Sequence, residues 1–273
     1  MQRQDRASIA GGERGAAMEI LMSGLTPAAF VAALAVTFFA GFVKGAVGFA
    51  MPMIMISAFS SFLTPDMALV GLILPTLVTN LSQAFRQGAG EAWQTTREYW
   101  RFLLPTVVFI GLSAQAVHLI PQSLFLMGLG LPITAFALLQ IAGRSLAIPV
   151  RHRDRAALGL GMIGGLYGGV SGVWGPPLLV YLLSIGANKA EMVRVQGVVF
   201  LIGAIALLLA HLQSGLVNST TLPFSAALVG PALLGLALGY TVQDRLDQRR
   251  FRWWTQLLLV LTGLNLVRRA AGL

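Results

Sequence analysis

The sequence predicts an all-α integral membrane protein, a polytopic bundle of about 8–10 transmembrane segments in two inverted-topology repeats with Gly/Pro-broken helices. Three observations lead to this fold class. The chain is 56% hydrophobic and only 11% charged, which leaves too little polar side chain to cover a soluble globule of 273 residues. Long uncharged stretches alternate with short basic ones. One pattern of glycine and proline occurs in both halves.

Charged residues divide the first half into apolar segments, because a helix needs about 20 apolar residues to cross the bilayer. Uncharged stretches end at Lys44, Asp66 and Arg86 in turn. The stretch from Phe102 to Gly143 has no acidic residue, lysine or arginine and is long enough for two crossings, with Pro121 as the turn between them. The predicted segments are 25–43, 47–63, 67–85, 100–118 and 122–142.

The second half divides in the same way. Gly175, Pro176 and Pro177 interrupt its first uncharged stretch, and the polar turn 218–223 interrupts the next. The last helix carries tryptophans at 253 and 254, which suit the membrane interface. The predicted segments are 156–173, 176–188, 191–212, 222–242 and 250–268.

Arginine gives the orientation of these segments. Linkers 86–101, 143–155 and 243–252 are rich in arginine, whereas turns 119–122 and 213–221 carry no charge. Because basic loops stay in the cytoplasm, we expect the linkers inside and the turns outside. Five segments per half is an odd number, so the second half would enter the membrane in the opposite sense to the first.

The domain organisation follows from these boundaries. The predicted parts are an N-terminal extension over 1–24, a first membrane repeat over 25–142, a cytoplasmic linker over 143–155 and a second membrane repeat over 156–273. Met18 and Met22 are alternative starts within the extension. We expect a multi-pass protein of the cell (inner) membrane.

The repeated pattern is the most informative feature of the chain. It consists of Gly41, Gly45, Gly48 and Pro52, which recur at one constant offset as Gly165, Gly169, Gly172 and Pro176. Proline disrupts the helix just before it, which frees backbone carbonyl and N–H groups. Corresponding breaks in two halves of a membrane protein indicate a transport site, and two half-helix N-termini suit an anion. The alternative is that the small residues only allow close helix packing.

Polar residues near the breaks extend this interpretation. Lys44 is the only basic residue between Glu19 and Asp66, and it lies at the first break. It either reaches the cytoplasmic interface or acts as an auxiliary charge for an anion held mainly by backbone N–H groups. A further polar set either lines a pathway or forms hydrogen bonds between helices: Thr76, Thr79, Asn80, Gln83 and Gln196.

Other functions find little support in the sequence. It has no GxxxxGK[ST] phosphate loop, no cysteine, and three histidines without a second ligand at metal-binding spacing. The net charge of +9 is dispersed between apolar stretches, which fits the positive-inside bias and excludes a nucleic-acid partner. We expect no catalytic residue, cofactor or metal. A non-transporting scaffold or assembly component stays open, and an intramembrane enzyme has less support.

Two motifs resemble the TauE/SafE family of sulfite exporters and organosulfur anion permeases. They are GFVKGAVGF at 41–49 and GVSGVWGPPL at 169–178 with the following Tyr181, and the similarity extends from about residue 25 over nearly the whole chain. The resemblance implies a permease of two repeats that moves small anions such as sulfite, sulfonates or related organic acids. Trp174 is bulky where the family usually has a small residue, which would narrow a cavity between the breaks.

These observations together give an expected site and expected partners. The predicted substrate-binding residues are Lys44, Gly45, Gly48, Asn80, Gly169, Ser171, Gly172, Trp174, Gly175, Pro176, Pro177 and Gln196. The expected partners are a small-molecule anion as substrate and the lipid bilayer, and a homodimer stays open. The expected mechanism is secondary transport by alternating access between the two repeats.

Overall fold

The computed structural model describes residues 21–59, 61–116, 122–144, 149–171 and 173–272. In these ranges the chain is helical and has no strand. The first half contains six helices: α1 (Pro27–Val47), α2 (Met51–Phe59), α3 (Pro65–Ala84), α4 (Ala89–Glu98), α5 (Trp100–Ala116) and α6 (Gln122–Ile141). The second half contains α7 (Arg153–Ser171), α8 (Gly175–Ser184), α9 (Lys189–Gln213), α10 (Leu222–Ala227), α11 (Val229–Arg245) and α12 (Gln248–Ala270).

Four of the spans are long and apolar enough to cross a membrane. They are Pro27–Val47, Asp66–Ala84, Lys189–Gln213 and Leu222–Arg245. The predicted all-α membrane fold is therefore confirmed. Helices α2 and α8 have 9 and 10 residues, so each is about 15 Å long and covers about half of the hydrocarbon layer. They are half-helices, as the breaks at glycine and proline predict.

Some boundaries differ from those predicted. Linker 86–101 contains α4, which begins after Gly88 and has Glu91 in its first turn and Arg97 in its last, both favourable for the helix dipole. Helix α7 starts at Arg153, before the predicted apolar segment 156–173 begins. The N-terminal residues 1–20 lie outside the described part of the chain.

Local chemistry explains where several helices begin. The hydroxyl of Thr26 accepts the Ala29 N–H at the start of α1, and that of Thr64 accepts the Met67 N–H at the start of α3. Each threonine is followed by a proline, whose fixed φ suits the first helical position. Asp66 lies in the first turn of α3, where its negative charge is favourable for the helix dipole.

Helices from opposite halves pack against each other through glycine. On the α1–α11 contact, a Cβ at Gly45 would lie 2.8 Å from the Gly239 Cα, so the two backbones touch. On the α5–α7 contact, the Thr106 and Ser113 hydroxyls donate to the carbonyls of Gly161 and Gly165, each over 3.2 Å. The two halves are therefore interlocked and are not two separate bundles.

The outer surface is apolar. Large hydrophobic side chains on several helices are more than half exposed, among them Val31, Leu104, Leu131, Leu234 and Leu261. Such a surface would be an aggregation hazard in water, whereas it suits contact with lipid acyl chains. Polar side chains such as those of Lys44, Asn80 and Gln196 are buried between the helices instead.

Candidate functional site

The first helix break consists of residues 48–50. Gly48 ends α1 with φ 87°, in the left-handed region that glycine adopts at little cost, and Ala50 follows with φ 77°. A left-handed alanine costs about 1–2 kcal/mol, so the surrounding packing holds this segment in a strained form. Pro52 falls in the first turn of α2, where its missing N–H has no helical partner to lose.

The second break lies between α7 and α8. Its described residues are Val173 and Trp174, and α8 then begins with Gly175, Pro176 and Pro177. The two prolines have no N–H, so the first turn of α8 presents only the N–H groups of Trp174 and Gly175 to a ligand. Backbone donors alone are thus scarcer here than the sequence interpretation expects.

Both breaks line one buried cavity. Its volume is about 20 Å³, enough for about one water molecule. The lining residues are Lys44, Phe49, Ala50, Pro52, Met53, Thr76, Asn80, Val173, Trp174, Gly175 and Phe200. Segments from the two helix breaks thus meet at one place in the structure.

Lys44 is the ionisable group of this cavity. Its side chain belongs to the last turn of α1 and is only 1% exposed. Its Nζ donates to the Thr79 hydroxyl over 2.9 Å and also to the Asn80 Oδ1. The Thr79 hydroxyl in turn donates to the Pro75 carbonyl over 2.6 Å, which leaves its lone pairs for the amine. Among the described residues, Lys44 makes no salt bridge.

Three polar atoms at the cavity have no hydrogen-bonding partner among the described residues. They are the Thr76 Oγ1, the Asn80 Nδ2 and the Trp174 Nε1. Each belongs to a residue that is at most 3% exposed. Burial of an unpaired polar group costs about 1–3 kcal/mol, so a ligand that accepts hydrogen bonds would relieve that cost.

Trp174 forms the wall opposite the lysine helix. Its ring meets the Phe200 ring edge to face, with 6.4 Å between the ring centroids. Glycine makes room for the indole on both sides, since a Cβ at Gly203 would lie 2.8 Å from the indole nitrogen and one at Gly168 would lie 3.0 Å from the ring. This bulky residue narrows the cavity, as the sequence predicts.

The structure brings part of the predicted site together. Lys44, Asn80, Trp174 and Gly175 line the cavity. Gly48 and Gln196 lie beside it and next to each other, because a Cβ at Gly48 would overlap the Gln196 Oε1.

Other predicted site residues lie elsewhere or are not described. Gly45 belongs to the α1–α11 contact, Gly169 is buried in α7, and Pro176 and Pro177 are buried in the first turn of α8. None of these four lines the cavity. Gly172 and the side chain of Ser171 are outside the described part of the chain. Glycine spacing alone does not tell which face of a helix meets a neighbour, and so it does not separate Gly45 from Gly48.

The apolar lining includes residues that sequence reasoning missed. Phe49 and Met53 belong to the first break and its half-helix, whereas Phe200 comes from α9, far away in the chain. The signal for Phe200 is its place one turn after Gln196 on a helix that also packs on α3. In a chain so rich in apolar residues, nothing distinguishes it by type.

No metal site is evident in the described ranges, which contain no group of three or more histidine, aspartate or glutamate residues arranged to hold an ion. The chemistry that this cavity offers is hydrogen-bond donation beside a buried amine, in a setting from which bulk water is largely excluded.

Comparison with known proteins gives one match. A family model described as sulfite exporter TauE/SafE matches residues 33–266, which is most of the chain. No curated protein and no solved structure matches the chain.

Proposed function

Because the chain belongs to the sulfite exporter TauE/SafE family, a family of membrane transporters, we propose that it is a secondary transporter of small oxyanions such as sulfite, sulfonates or related organic acids. The proposal includes alternating access to the Lys44 cavity and a location in the cell (inner) membrane. The observation that carries the proposal is a buried lysine, located where both helix breaks meet, with only uncharged oxygen atoms as its partners among the described residues.

Electrostatics favours an anion as the occupant of this cavity. A buried ammonium group without a counter-charge costs several kcal/mol. An anion about 4 Å from the Nζ would recover about 4 kcal/mol at an effective dielectric constant of about 20. A cation at the same place would be repelled by a similar amount. The cavity is therefore suited to select anions over cations by about three orders of magnitude or more.

Hydrogen bonding favours oxygen atoms on that anion. The unpartnered Asn80 Nδ2 and Trp174 Nε1 are donors only. With the lysine, they are donor groups on three of the residues that line the cavity. An oxyanion has several acceptor lone pairs and satisfies these groups at once, which a neutral apolar solute does not.

The size of the cavity favours a small substrate. A volume of about 20 Å³ holds a water molecule but not a sulfonate, so the lining has to move outward to admit one. This supports a mechanism in which the described state is closed around the site. The reciprocal contacts, α1 with α11 and α5 with α7, support a two-fold arrangement of inverted repeats as the basis of alternating access.

The test is anion flux into liposomes that contain the purified protein. A panel of sulfite, short sulfonates, short carboxylates, chloride, small cations and a neutral sugar would be compared, with protein-free liposomes as the blank. We expect saturable flux of at least one oxyanion and none of the cations or the sugar. Saturable flux of a cation or neutral solute, with no response to any oxyanion, would contradict the proposal.

A lysine series connects the flux to the site. Lys44→Met keeps the length of the side chain and removes the charge, whereas Lys44→Arg keeps the charge. We expect the first to raise the half-saturating oxyanion concentration by about tenfold or more and the second to keep part of the affinity. Equal affinities in all three proteins would show that the anion does not meet this lysine.

A further inference from the structure

Two further buried amide side chains, those of Gln83 and Gln196, lie next to the cavity but do not line it. Gln83 on α3 is 2% exposed and Gln196 on α9 is 0% exposed. The Gln83 Oε1 and both polar atoms of the Gln196 amide lack a hydrogen-bonding partner among the described residues. Two buried primary amides with three unpaired atoms are unfavourable in a closed protein interior. Among these three atoms only the Gln196 Nε2 is a donor and could bind an anion, whereas the two Oε1 atoms need a donor such as water.

The Gln83 amide connects the first break to the second half of the chain. Its Nε2 donates to the Gly48 carbonyl over 3.1 Å and to the Val193 carbonyl on α9 over 3.1 Å. Gly48 lies between the two amides, because a Cβ there would overlap the Gln196 Oε1 and lie 3.4 Å from the Gln83 Nε2. We call Gly48, Gln83 and Gln196 the amide gate.

An open hollow of about 500 Å³ lies beyond this gate. We call it the vestibule, and its lining includes Arg86 and Gln87 after α3 and Lys189, Ala190 and Val193 on α9. These cations are engaged by the protein, since the Lys189 Nζ donates to the Gln243 and Leu246 carbonyls over 2.5 and 2.6 Å. The vestibule is therefore polar and open without being a tight anion site.

The cavity, the gate and the vestibule follow one another along two helices. Along α3 and just past its end the order is Asn80, Gln83 and then Arg86, and on α9 it is Phe200, Gln196 and then Val193. At a helical rise of about 1.5 Å per residue, the cavity and the vestibule are about 10 Å apart, with the amides between them. Two buried amide side chains and one backbone segment thus lie between the cavity and the vestibule.

The moving part of this closure is the break and not the two helices. A Cβ at Gly197 would lie 2.8 Å from the Ala84 nitrogen, so α3 and α9 touch backbone to backbone beside the gate. On the other side is Gly48, which is followed by strained, non-helical residues. Release of the Gln83 bond to the Gly48 carbonyl would let this segment move away while the helices stay in contact.

We propose that the small oxyanion passes between the vestibule and the Lys44 cavity through the amide gate, where the Gln196 Nε2 binds it in transit and the Gln83 Nε2 joins it once it releases the Gly48 carbonyl. This inference rests on the proposed function and adds to it an access route, a closing contact and an intermediate binding position. The amides suit this role because a neutral donor replaces part of the hydration of an anion without trapping it.

The test uses the absence of cysteine from the chain. Thr76→Cys places a thiol of similar size on the cavity wall, and Met53→Cys is a second reporter should the first fail to fold. Ala190→Cys places a thiol in the vestibule as the open reference. Each protein is reconstituted in liposomes and treated with a small anionic methanethiosulfonate or its cationic trimethylammonium analogue, and the modified fraction is followed by intact mass.

We expect the vestibule thiol to react rapidly and the cavity thiol slowly. Adding Gln83→Ala should raise the rate at the cavity thiol by about tenfold, because two closing hydrogen bonds are lost. Adding Gln196→Glu should slow the anionic reagent relative to the cationic one, a charge effect that a merely loosened fold would not produce. Gln256→Ala, which removes a buried glutamine at the α6–α12 contact, is the matched control and should leave the rates unchanged.

Equal rates at the cavity thiol with and without Gln83→Ala, in both reporters, would overturn the gate. The gate would also be overturned if Gln196→Glu changed the reaction rates of the anionic and cationic reagents equally. Flux of oxyanions is measured on the same liposomes. If the thiol rates change as expected but the unmodified protein shows no oxyanion flux, the proposed function alone is refuted. If oxyanion flux is present but the thiol rates do not change, the gate alone is refuted.

Discussion

Gly45 and Gly48 lie one helical turn apart, and we expect their replacement by alanine to have different effects. Gly45→Ala should lower stability, whereas Gly48→Ala should mainly remove transport. Gly45 faces α11, where the added Cβ would overlap the Leu236 carbonyl and lie 2.8 Å from the Gly239 Cα. Neither backbone atom can move without separating the helices. Gly48 faces the side-chain end of Gln196, which can rotate away, but its φ of 87° disfavours any residue with a Cβ.

The expected changes in the free energy of unfolding follow from these contacts. Alanine in place of glycine in a helix stabilises by about 0.5–1 kcal/mol. Overpacking costs about 1–3 kcal/mol where the neighbours can adjust and more where they are backbone. Gly45→Ala is therefore expected to be destabilising by about 1–2 kcal/mol or more. Gly159→Ala on α7 is the matched control, since its Cβ meets nothing within 4 Å, and it should stabilise by about 0.5–1 kcal/mol.

The assay combines thermal unfolding in detergent with oxyanion flux per amount of folded protein in liposomes. We expect Gly45→Ala to lower the midpoint by about 3–8 °C and Gly159→Ala to raise it by about 1–4 °C, both with normal flux per folded protein. Gly48→Ala should change the midpoint less than Gly45→Ala does and remove most of the flux, because it displaces Gln196 and strains the break. Normal flux in Gly48→Ala would refute the role of Gly48 at the helix break. An unchanged midpoint in Gly45→Ala would refute the role of Gly45 in packing α1 against α11.

Three further predictions concern the site and its orientation. Lys44→Met should weaken oxyanion affinity by about tenfold or more while leaving the thermal midpoint in place or higher, since an uncompensated buried charge is removed; a collapse of the fold would mean that the lysine is structural. Trp174→Phe keeps most of the wall and removes the indole N–H, so oxyanion affinity should fall by about tenfold, and unchanged affinity would show that the Nε1 meets no substrate. Cysteines at Arg153 and Ser219 should label from opposite sides of the membrane with an impermeant reagent, the first from the cytoplasm; labelling of the Arg153 position alone from outside would reverse the orientation.

The breaks and the buried lysine were predictable from sequence because their causes are local. Proline and left-handed glycine restrict the backbone wherever they occur, so Pro52, Pro176 and Gly48 mark helix ends without knowledge of the fold. A lysine in an apolar stretch can avoid a large desolvation cost at few positions, so Lys44 also stands out in the sequence. The pairing of the breaks in one cavity follows from the repeat.

The rest of the site depends on helix rotation and on partners far away in the chain. Whether Gly45 faces a helix or a cavity is decided by how α1 turns against α11, and the glycine pattern is the same in both cases. The sequence predicts Gln196 as a substrate-binding residue because it is polar and belongs to the segment that is the counterpart of α3, yet it lies one turn from Phe200, outside the cavity. Helix α4 was missed because its apolar face is short and its sequence is mostly polar, so that charge spacing alone marked it as a linker.

The glycine contacts also determine which parts of the molecule move together. Helix α1 touches α11, and α5 touches α7, so each contact joins a helix of one half to a helix of the other. Backbone-to-backbone packing of this kind resists sliding and separation, because any shift brings hard atoms into overlap. We therefore expect the rigid units in a change of access to be mixed pairs of helices, and not the two halves of the sequence as separate bodies. What remains free to change is the segment that no such contact holds, the non-helical residues 48–50 between α1 and α2.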